Sequence, residues 1–470
     1  MTLIELRNAL RAKQISANEL IASSIEQINR HNPDLNAFVQ TFFEDALAQA
    51  SDSDRRIQTG CARPLEGVPI TIKDSLDIAG YTTYCGSLLN AGAKAAEDAT
   101  CVRLLRQAGA VIVGKTNCPE FLMNYETDNR IIGRTNNPWN PQRTAGGSSG
   151  GESAAISSFC SAGGIGSDGG GSVRFPAHCC GIAGLKPTPG RISAAGHVPP
   201  IEHPGGLLGV VGPMARTAED VRELFEVVAG YDVADPFSTP MPLRSPNLNP
   251  LKAKRHRIGF LPGWLDVPVQ PAIAETTHRA ANLLSEAGFA VEEFRPAGVE
   301  LALETWWFFF GQIYSRITSE ALRGKEALLH WTGVEFWDLA LSEPEPTVAS
   351  VLENLRRRDQ MRTAFLKQME EIPVLLLPAA GVVAFPHGTR KWRVGTREIG
   401  LFEAMAPLTP FNLFGMPALT VPFGLDADGM PCGVQIVGRP YEEELLLAIG
   451  AELESARGTF PAPPGLKDLS

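Results

Sequence analysis

Ser172 closes the run Gly164-Ile-Gly-Ser-Asp168-Gly169-Gly170-Gly171-Ser172-Val173-Arg174. Three consecutive glycines ahead of a serine let their N–H groups converge on one point, as an oxyanion hole beside a hydroxyl nucleophile requires. A merely flexible turn does not account for a run that ends in serine and passes straight into Phe175-Pro176. A serine hydroxyl needs a base within hydrogen-bond reach. His178, the nearest histidine in sequence, sits beyond a proline and before Cys179-Cys180, and reads as structural. His197 and His203 lie in loops with no acid at a recognisable spacing. A lysine can replace histidine only when neutral, which asks for a pKa lowered from about 10.4 to about 7–8, roughly 4 kcal/mol. Burial does this, because desolvation disfavours the ammonium form. Lys73 ends the apolar run Val68-Pro-Ile-Thr-Ile72, so a buried strand can carry it. The competing reading pairs Lys73 with Asp74, which would hold its pKa high, and the residues alone leave both open.

Two other glycine-rich motifs fail their context. Gly109-Ala-Val-Ile-Val-Gly114-Lys115-Thr116 fits the phosphate-loop pattern, but a phosphate cradle needs a pliable loop where this chain has strand-forming Ala-Val-Ile-Val. Gly109 also sits where the preceding helix should stop. Gly146-Gly147-Ser148-Ser149-Gly150 fits the nucleophile-elbow pattern, which demands a buried strand immediately upstream. The upstream stretch, 137–145, holds two prolines and reads as loop, while Glu152–Ser161 can be helical. Ser148 can still work at the mouth of that helix.

The elements that must position these groups alternate along the chain. Ser16 and Glu19 form a capping box, stapled by Ile15 and Leu20, for a helix expected to end near Asn32–Pro33. Val68–Ile72, Val111–Val113, Ile258–Leu261 and Val374–Leu377 read as strands; Thr100–Gln107 and Thr217–Ala229 read as helices. Such alternation predicts an α/β fold with a largely buried sheet. The proline-rich stretch 231–257 reads as a connector inside one large domain rather than a boundary. Trp306, Trp307, Phe308, Phe309 and Phe310 cannot all face one side of a helix, and a core helix and a pocket wall are equally open readings.

Bulk properties narrow the function classes. The 470 residues are 44% hydrophobic and 20% charged, as in an ordinary globular protein. A net charge of −10, from 42 basic and 52 acidic residues, does not suit nucleic-acid binding. The eight cysteines (Cys61, Cys85, Cys101, Cys118, Cys160, Cys179, Cys180 and Cys432) are too sparse for a disulfide framework and contain no C-x-x-C pair. Glu5, Arg7, Arg11 and Lys13 leave no apolar core for a signal peptide, and no apolar run approaches a membrane span of about 18 residues. A cytoplasmic, reduced protein without an integral membrane anchor is expected.

Taken together, 67–190 resembles the amidase-signature family. The matching pieces are Gly67-Val-Pro-Ile-Thr-Ile-Lys73-Asp74, Gly114-Lys-Thr-Asn117, Gly146-Gly-Ser-Ser-Gly-Gly151, Ser167-Asp-Gly-Gly-Gly-Ser172-Val-Arg-Phe-Pro-Ala177 and Gly184-Leu-Lys-Pro187. Gly212-Pro-Met-Ala-Arg216, Asn412, Gly415-Met-Pro417 and Gly433-Val-Gln435 follow in order, and the 24-residue spacing of Ser148 and Ser172 is also the family's. Gly169 departs from the pattern, because most relatives carry a larger residue there, often threonine. The resemblance implies an α/β/α sandwich with a large mixed central sheet, as one amidase domain over 1–470 with its signature core at about 60–220. It implies Ser172 as nucleophile, Ser148 as a bridging serine preceded by a cis peptide bond, and Lys73 as base. The N–H groups of Gly169, Gly170, Gly171 and Ser172 would form the oxyanion hole, supported by Ser149 and Arg174.

By the same resemblance Leu122 and Met123 fall where the family lines its acyl pocket, with core packing an equally open role. If Trp306–Phe310 shares that pocket, an apolar or aryl acyl group is favoured. The implied activity is cleavage of a linear small-molecule amide to a carboxylate and ammonia or an amine, with no metal or cofactor called for. A glutaminase-type subunit of a transfer-RNA amidotransferase, dependent on partner chains, is the alternative. A homodimer enters only as a family-level expectation.

Overall fold

Ser16 opens the first long helix as its position predicts: its hydroxyl accepts from the Glu19 N–H, and the Glu19 carboxylate returns to the Ser16 N–H. The structure, a computed structural model, describes residues 1–243 and 254–466. That helix runs Ala17–Leu35, past the stop expected at Asn32–Pro33. Pro33 removes one donor without ending the helix. The exit comes at Asn36, in the left-handed region at φ 53°, where the Asn32 side chain accepts the N–H groups of Ala37 and Phe38. Thr217 likewise caps Ala218–Val228, and the expected Glu152–Ser161 helix is observed as Gly150–Ser157.

The apolar runs become strands. β1 (Phe38–Thr41), β2 (Pro69–Lys73), β3 (Val111–Thr116), β4 (Gly163–Asp168), β5 (Ala183–Lys186) and β6 (Val210–Ala215) come from the first half. β7 (Arg257–Phe260), β8 (Ala290–Glu293), β9 (Val374–Pro378), the short pair β10 (Lys391–Val394) and β11 (Arg397–Gly400), β12 (Ala418–Leu425) and β13 (Pro431–Gly438) come from the second. Eleven of them form one mixed sheet in the order β1-β3-β2-β4-β6-β5-β12-β13-β9-β7-β8, with β10 and β11 apart. Of the connector at 231–257, residues 244–253 lie outside the described residues.

Strand β13 shows why both sheet faces are apolar. Gly433 faces the helix Arg174–Cys180 through His178, while Gly438 faces the helix Glu443–Arg457 through Leu446. Every residue of β13 is buried, as expected for a strand covered on both sides. The short helices Gly150–Ser157 and Arg174–Cys180 pack on each other, and Glu443–Arg457 packs on Ala218–Val228 and Pro271–Glu286. The architecture is the α/β/α sandwich with a large mixed central sheet that the sequence implied.

The would-be phosphate loop is a strand. Gly109, at φ 92°, follows the helix Thr100–Gln107, and 111–116 is β3. Lys115 points into the protein, where its Nζ meets the Asp74 carboxylate at 2.9 Å with both side chains fully buried. Its remaining donors reach Thr83 Oγ1 and the Thr82 carbonyl. Asp74 therefore belongs to Lys115, and the pairing of Asp74 with Lys73 does not form. Removing one partner of a buried pair leaves an uncompensated charge, at a cost of about 3–5 kcal/mol. Lys115→Met should lose about that much in chemical denaturation at slightly alkaline pH. Burial already raises the Asp74 pKa to about 6 against the pull of Lys115. The deficit should therefore shrink as pH falls and Asp74 enters the fold neutral, and Asp74→Asn in the same background should restore most of it.

Candidate active site

Strands β2 and β4 run parallel with Ile72 opposite Ile165, so their C-terminal ends emerge side by side. Lys73 ends one strand, and Ser167 and Asp168 end the other. Ligand sites of open α/β sheets form at such carboxyl ends. Lys73 is fully buried, and its Nζ lies 2.7 Å from Ser148 Oγ, 3.1 Å from Ser167 Oγ and 3.3 Å from the Ser167 carbonyl. Among the described residues no carboxylate pairs with it. Desolvation is the main influence and lowers its pKa to about 8, opposed by the nearby acidic groups of Cys118, Cys85, Asp168 and Glu152.

Ser148 follows a cis Gly147–Ser148 peptide bond, in loop rather than after a strand, so the elbow geometry is absent. The helix Gly150–Ser157 begins two residues later. Ser149 ties the serine segments together: its N–H donates to the Ser172 carbonyl at 3.1 Å and its hydroxyl to the Ser167 carbonyl at 3.3 Å. Ser172 and Ser148 both line one cavity of about 610 Å³. Among the described residues Ser172 Oγ makes no hydrogen bond.

The glycine loop is held from both sides. Trp306 Nε1 donates to the Gly169 carbonyl at 2.9 Å, and the Tyr125 hydroxyl to the Gly170 carbonyl at 2.8 Å. Because a trans peptide sets N–H opposite C=O, the amides of Gly170 and Gly171 turn away from those donors. The Gly171 N–H is already committed to Asp168 Oδ1 at 2.8 Å, which corrects the expectation of Gly171 as an open oxyanion donor. The Val173 N–H goes to Asp168 Oδ2 at 3.1 Å. Among the described residues, the N–H groups of Gly169, Gly170 and Ser172 donate to nothing in the chain. Gly171 takes φ 118°, and at Gly170 a Cβ would collide with the Trp306 ring, so glycine is required at both.

Asp168 is fixed by Arg174, whose Nε and Nη2 each reach it at 3.0 Å with both groups fully buried. Burial by itself would raise the Asp168 pKa, but the Arg174 charge and hydrogen bonds, with Lys186 and Asn412, outweigh it and hold the carboxyl well below its usual range. Arg174 also donates to the Leu408 carbonyl at 2.9 Å, Gln435 Oε1 at 2.6 Å and Asn412 Oδ1 at 2.5 Å. Asn412 and Gln435 belong to the matching sequence pieces, but nothing in their type or spacing announced this role.

Leu122 and Met123 do line the cavity, next to Phe121, and both Phe121 and Leu122 take positive φ (49° and 64°). The aromatic run divides between its two readings. Trp306 is fully buried and stacked on Phe310 at 4.7 Å, while Phe309 and Phe310 form cavity wall at the start of a π-helical turn, Phe308–Ile313. His178 is structural as read: one ring nitrogen meets the Val382 carbonyl at 3.1 Å, the other accepts the Gly433 N–H at 2.9 Å, and burial lowers its pKa to about 4. His197, set aside in the sequence as a loop histidine without a partnering acid, lines the cavity, as does Tyr314, which carried no signal. Among the described residues no cluster of three or more metal-ligating side chains is present.

The amidase family model matches residues 19–447. The chain belongs to the amidase-signature family. This amidase-family chain is 34% identical over 469 residues to an indoleacetamide hydrolase of Bradyrhizobium diazoefficiens, covering 97% of this chain and 86% of that protein. It is 32% identical over 474 residues to a glutamyl-tRNA(Gln) amidotransferase subunit of Chloroflexus aggregans, covering 96% and 95%. Among solved structures, 6-aminohexanoate cyclic dimer hydrolase complexed with substrate is similar at a TM-score of 0.86 and 28% identity, covering 99% of each chain. Among the described residues no helix is long and apolar enough to cross a membrane.

Trp306 aims the Gly169–Gly170 peptide by one hydrogen bond, worth on the order of 1 kcal/mol. Trp306→Phe keeps an aromatic ring at the position but removes the donor and part of the buried indole. If that peptide stabilises developing negative charge, a fluorophosphonate should phosphonylate Ser172 at least about fivefold more slowly in the variant, and the thermal midpoint should fall because a fully buried side chain is cut back.

Proposed function

We propose that this member of the amidase-signature family is a serine amidase of linear amides, with Ser172 as nucleophile, Ser148 as proton bridge and Lys73 as base. One observation carries the reading: a fully buried lysine, its pKa lowered to about 8, with Nζ 2.7 Å from the Ser148 hydroxyl and no carboxylate partner among the described residues. Neutral Lys73 accepts the Ser148 proton while Ser148 accepts that of Ser172, and Ser172 Oγ bonds to the amide carbon. The carbonyl electrons move onto oxygen, which the open N–H groups of Gly169, Gly170 and Ser172 stabilise. As the C–N bond breaks, the relay returns a proton to the leaving nitrogen. Ammonia or an amine departs, leaving an ester on Ser172. Water, deprotonated through the same relay, hydrolyses that ester to a carboxylate. Ser149 and Arg174 act by holding the serine segments and the loop. The chain is read as one amidase unit over 1–470, because strands of both halves share one sheet.

The acyl group is proposed to be apolar or aryl. Leu122, Met123, Ile201, Phe309 and Phe310 supply an apolar wall to a cavity of about 610 Å³. A second reading, a glutaminase component needing partner chains, draws on the likeness to the Chloroflexus amidotransferase. Glutamine brings an ammonium and a carboxylate, and the lining holds no lysine or arginine among the described residues, while its one carboxylate, Asp168, is spent on Arg174. That argues for the stand-alone amidase.

Labelling the purified chain with a fluorophosphonate, then peptide mapping, tests the roles. The adduct should fall on Ser172 and be lost in Ser172→Ala and, by at least about a hundredfold in rate, in Lys73→Ala. Adduct on Ser148, or full labelling of Lys73→Ala, would sink the relay. The base must be unprotonated, so the wild-type rate should rise with pH and level off above a pKa of about 8. Below it the loss should approach about tenfold per pH unit. A plateau already reached at neutral pH would point to another base.

A further inference from the structure

Most polar groups on the cavity wall are already engaged. Ser148 and Ser167 meet Lys73, and Asp168 holds Arg174. Ser172 is reserved for the attack in the reading above. His197 and Tyr314 remain, in walls that are otherwise largely apolar.

His197 is 6% exposed, in the segment that leads to the cis Val198–Pro199 bond. Its Nδ1 lies 2.6 Å from the Pro199 carbonyl oxygen. A carbonyl only accepts, so Nδ1 carries the ring proton and Nε2 presents a lone pair. Among the described residues Nε2 has no hydrogen-bond partner. Burial, partly opposed by the Pro199 bond and reinforced by Lys73, lowers the ring pKa to about 4, which keeps the imidazole neutral and Nε2 an acceptor. An unmatched buried acceptor is costly and uncommon in folded proteins. In a substrate cavity, the missing donor is most economically brought by the substrate.

We propose that His197 Nε2 is the specificity group of the acyl pocket, receiving an N–H or O–H carried by the substrate's acyl portion. The preferred substrates are then aryl amides bearing such a donor on the ring, rather than purely hydrocarbon acyl amides. The aromatic faces of Phe309 and Phe310 take the ring, and His197 selects among rings of similar shape. This rests on the reading of Ser172 as nucleophile.

The test uses two substrate pairs that differ in the donor at nearly constant shape. One is indole-3-acetamide against benzofuran-3-acetamide; the other is 4-hydroxyphenylacetamide against 4-fluorophenylacetamide. The readout is the kcat/KM ratio within each pair for wild type, His197→Asn and His197→Phe. An Asn amide can keep a donor toward the Pro199 carbonyl while lacking the Nε2 acceptor, so it separates loop geometry from recognition. The wild type should favour the donor-bearing member of at least one pair by about tenfold or more, and the ratio should collapse toward one in both variants. Ratios near one in the wild type, or a preference that survives in both variants, overturn the proposal. If Ser172 takes the fluorophosphonate normally but neither pair is hydrolysed, the role of His197 is overturned and the nucleophile stands. If Ser172 is not labelled, the nucleophile reading falls and takes this inference with it.

Discussion

A carboxylate and a guanidinium buried at the two ends of one loop set the geometry of the site. Taking Asp168 and Arg174 out of water costs several kcal/mol each, recovered only when the remaining donors and acceptors are satisfied. Arg174 spreads its donors over Asp168, Asn412, Gln435 and the Leu408 carbonyl. Asp168 in turn collects the N–H groups of Gly171 and Val173. The end of β4, the helix Arg174–Cys180, β13 and the short helix Thr409–Leu413 are thereby fixed to one another. The residues between the two charges have little freedom left. That is the condition for backbone donors to meet developing charge without reorganising.

The two lysines at the end of the β2–β3 pair show how neighbouring positions in one sheet receive opposite environments. Lys73 ends β2 and Lys115 lies near the end of the parallel β3, with Ile72 opposite Lys115 in the register. Both side chains are fully buried. Lys115 has the Asp74 carboxylate at 2.9 Å, whereas Lys73 has hydroxyls and a carbonyl. Neutral partners do not repay the desolvation of an ammonium, so the pKa of Lys73 falls. By engaging Asp74, Lys115 shapes the proposed relay without touching it. The motif that mimics a phosphate loop is thus part of what leaves Lys73 free of a counter-ion.

What was legible in the sequence was local. The caps at Ser16 and Thr217, the strand ending in Lys73, and the strand character of 111–116 follow from propensity and pattern within a few residues. The glycine run before Ser172 announced a donor loop by type alone. What stayed hidden depended on partners far along the chain. Asp74 adjoins Lys73 in sequence, yet tertiary packing gave it to Lys115. The commitment of the Gly171 N–H depended on which way the Asp168 side chain turned, which spacing does not encode. The helix passed Pro33 because the Asn32 side chain and the left-handed Asn36 supplied an exit farther on. His197 gave no signal, because a histidine is informative only through what its two nitrogens meet.

The cavity wall and the glycine loop are mechanically one unit, and Trp306 is the joint. Its ring stacks on Phe310, a wall residue, while its indole N–H holds the Gly169 carbonyl. Gly170 has no room for a side chain because the same indole occupies the space. Gly169 has Phe310 only 3.2 Å from the site of its missing Cβ, so a side chain there would press on the wall. Absence of that side chain and presence of the aromatic wall are two sides of one packing solution. A change that reshapes the wall must move the indole, and an indole that moves re-aims the Gly169–Gly170 peptide. On the proposed reading, selectivity for the acyl group and stabilisation of charge at the carbonyl therefore cannot vary independently in this pocket. Substitutions that enlarge it for a bulkier acyl group should also change how fast a bound amide reacts.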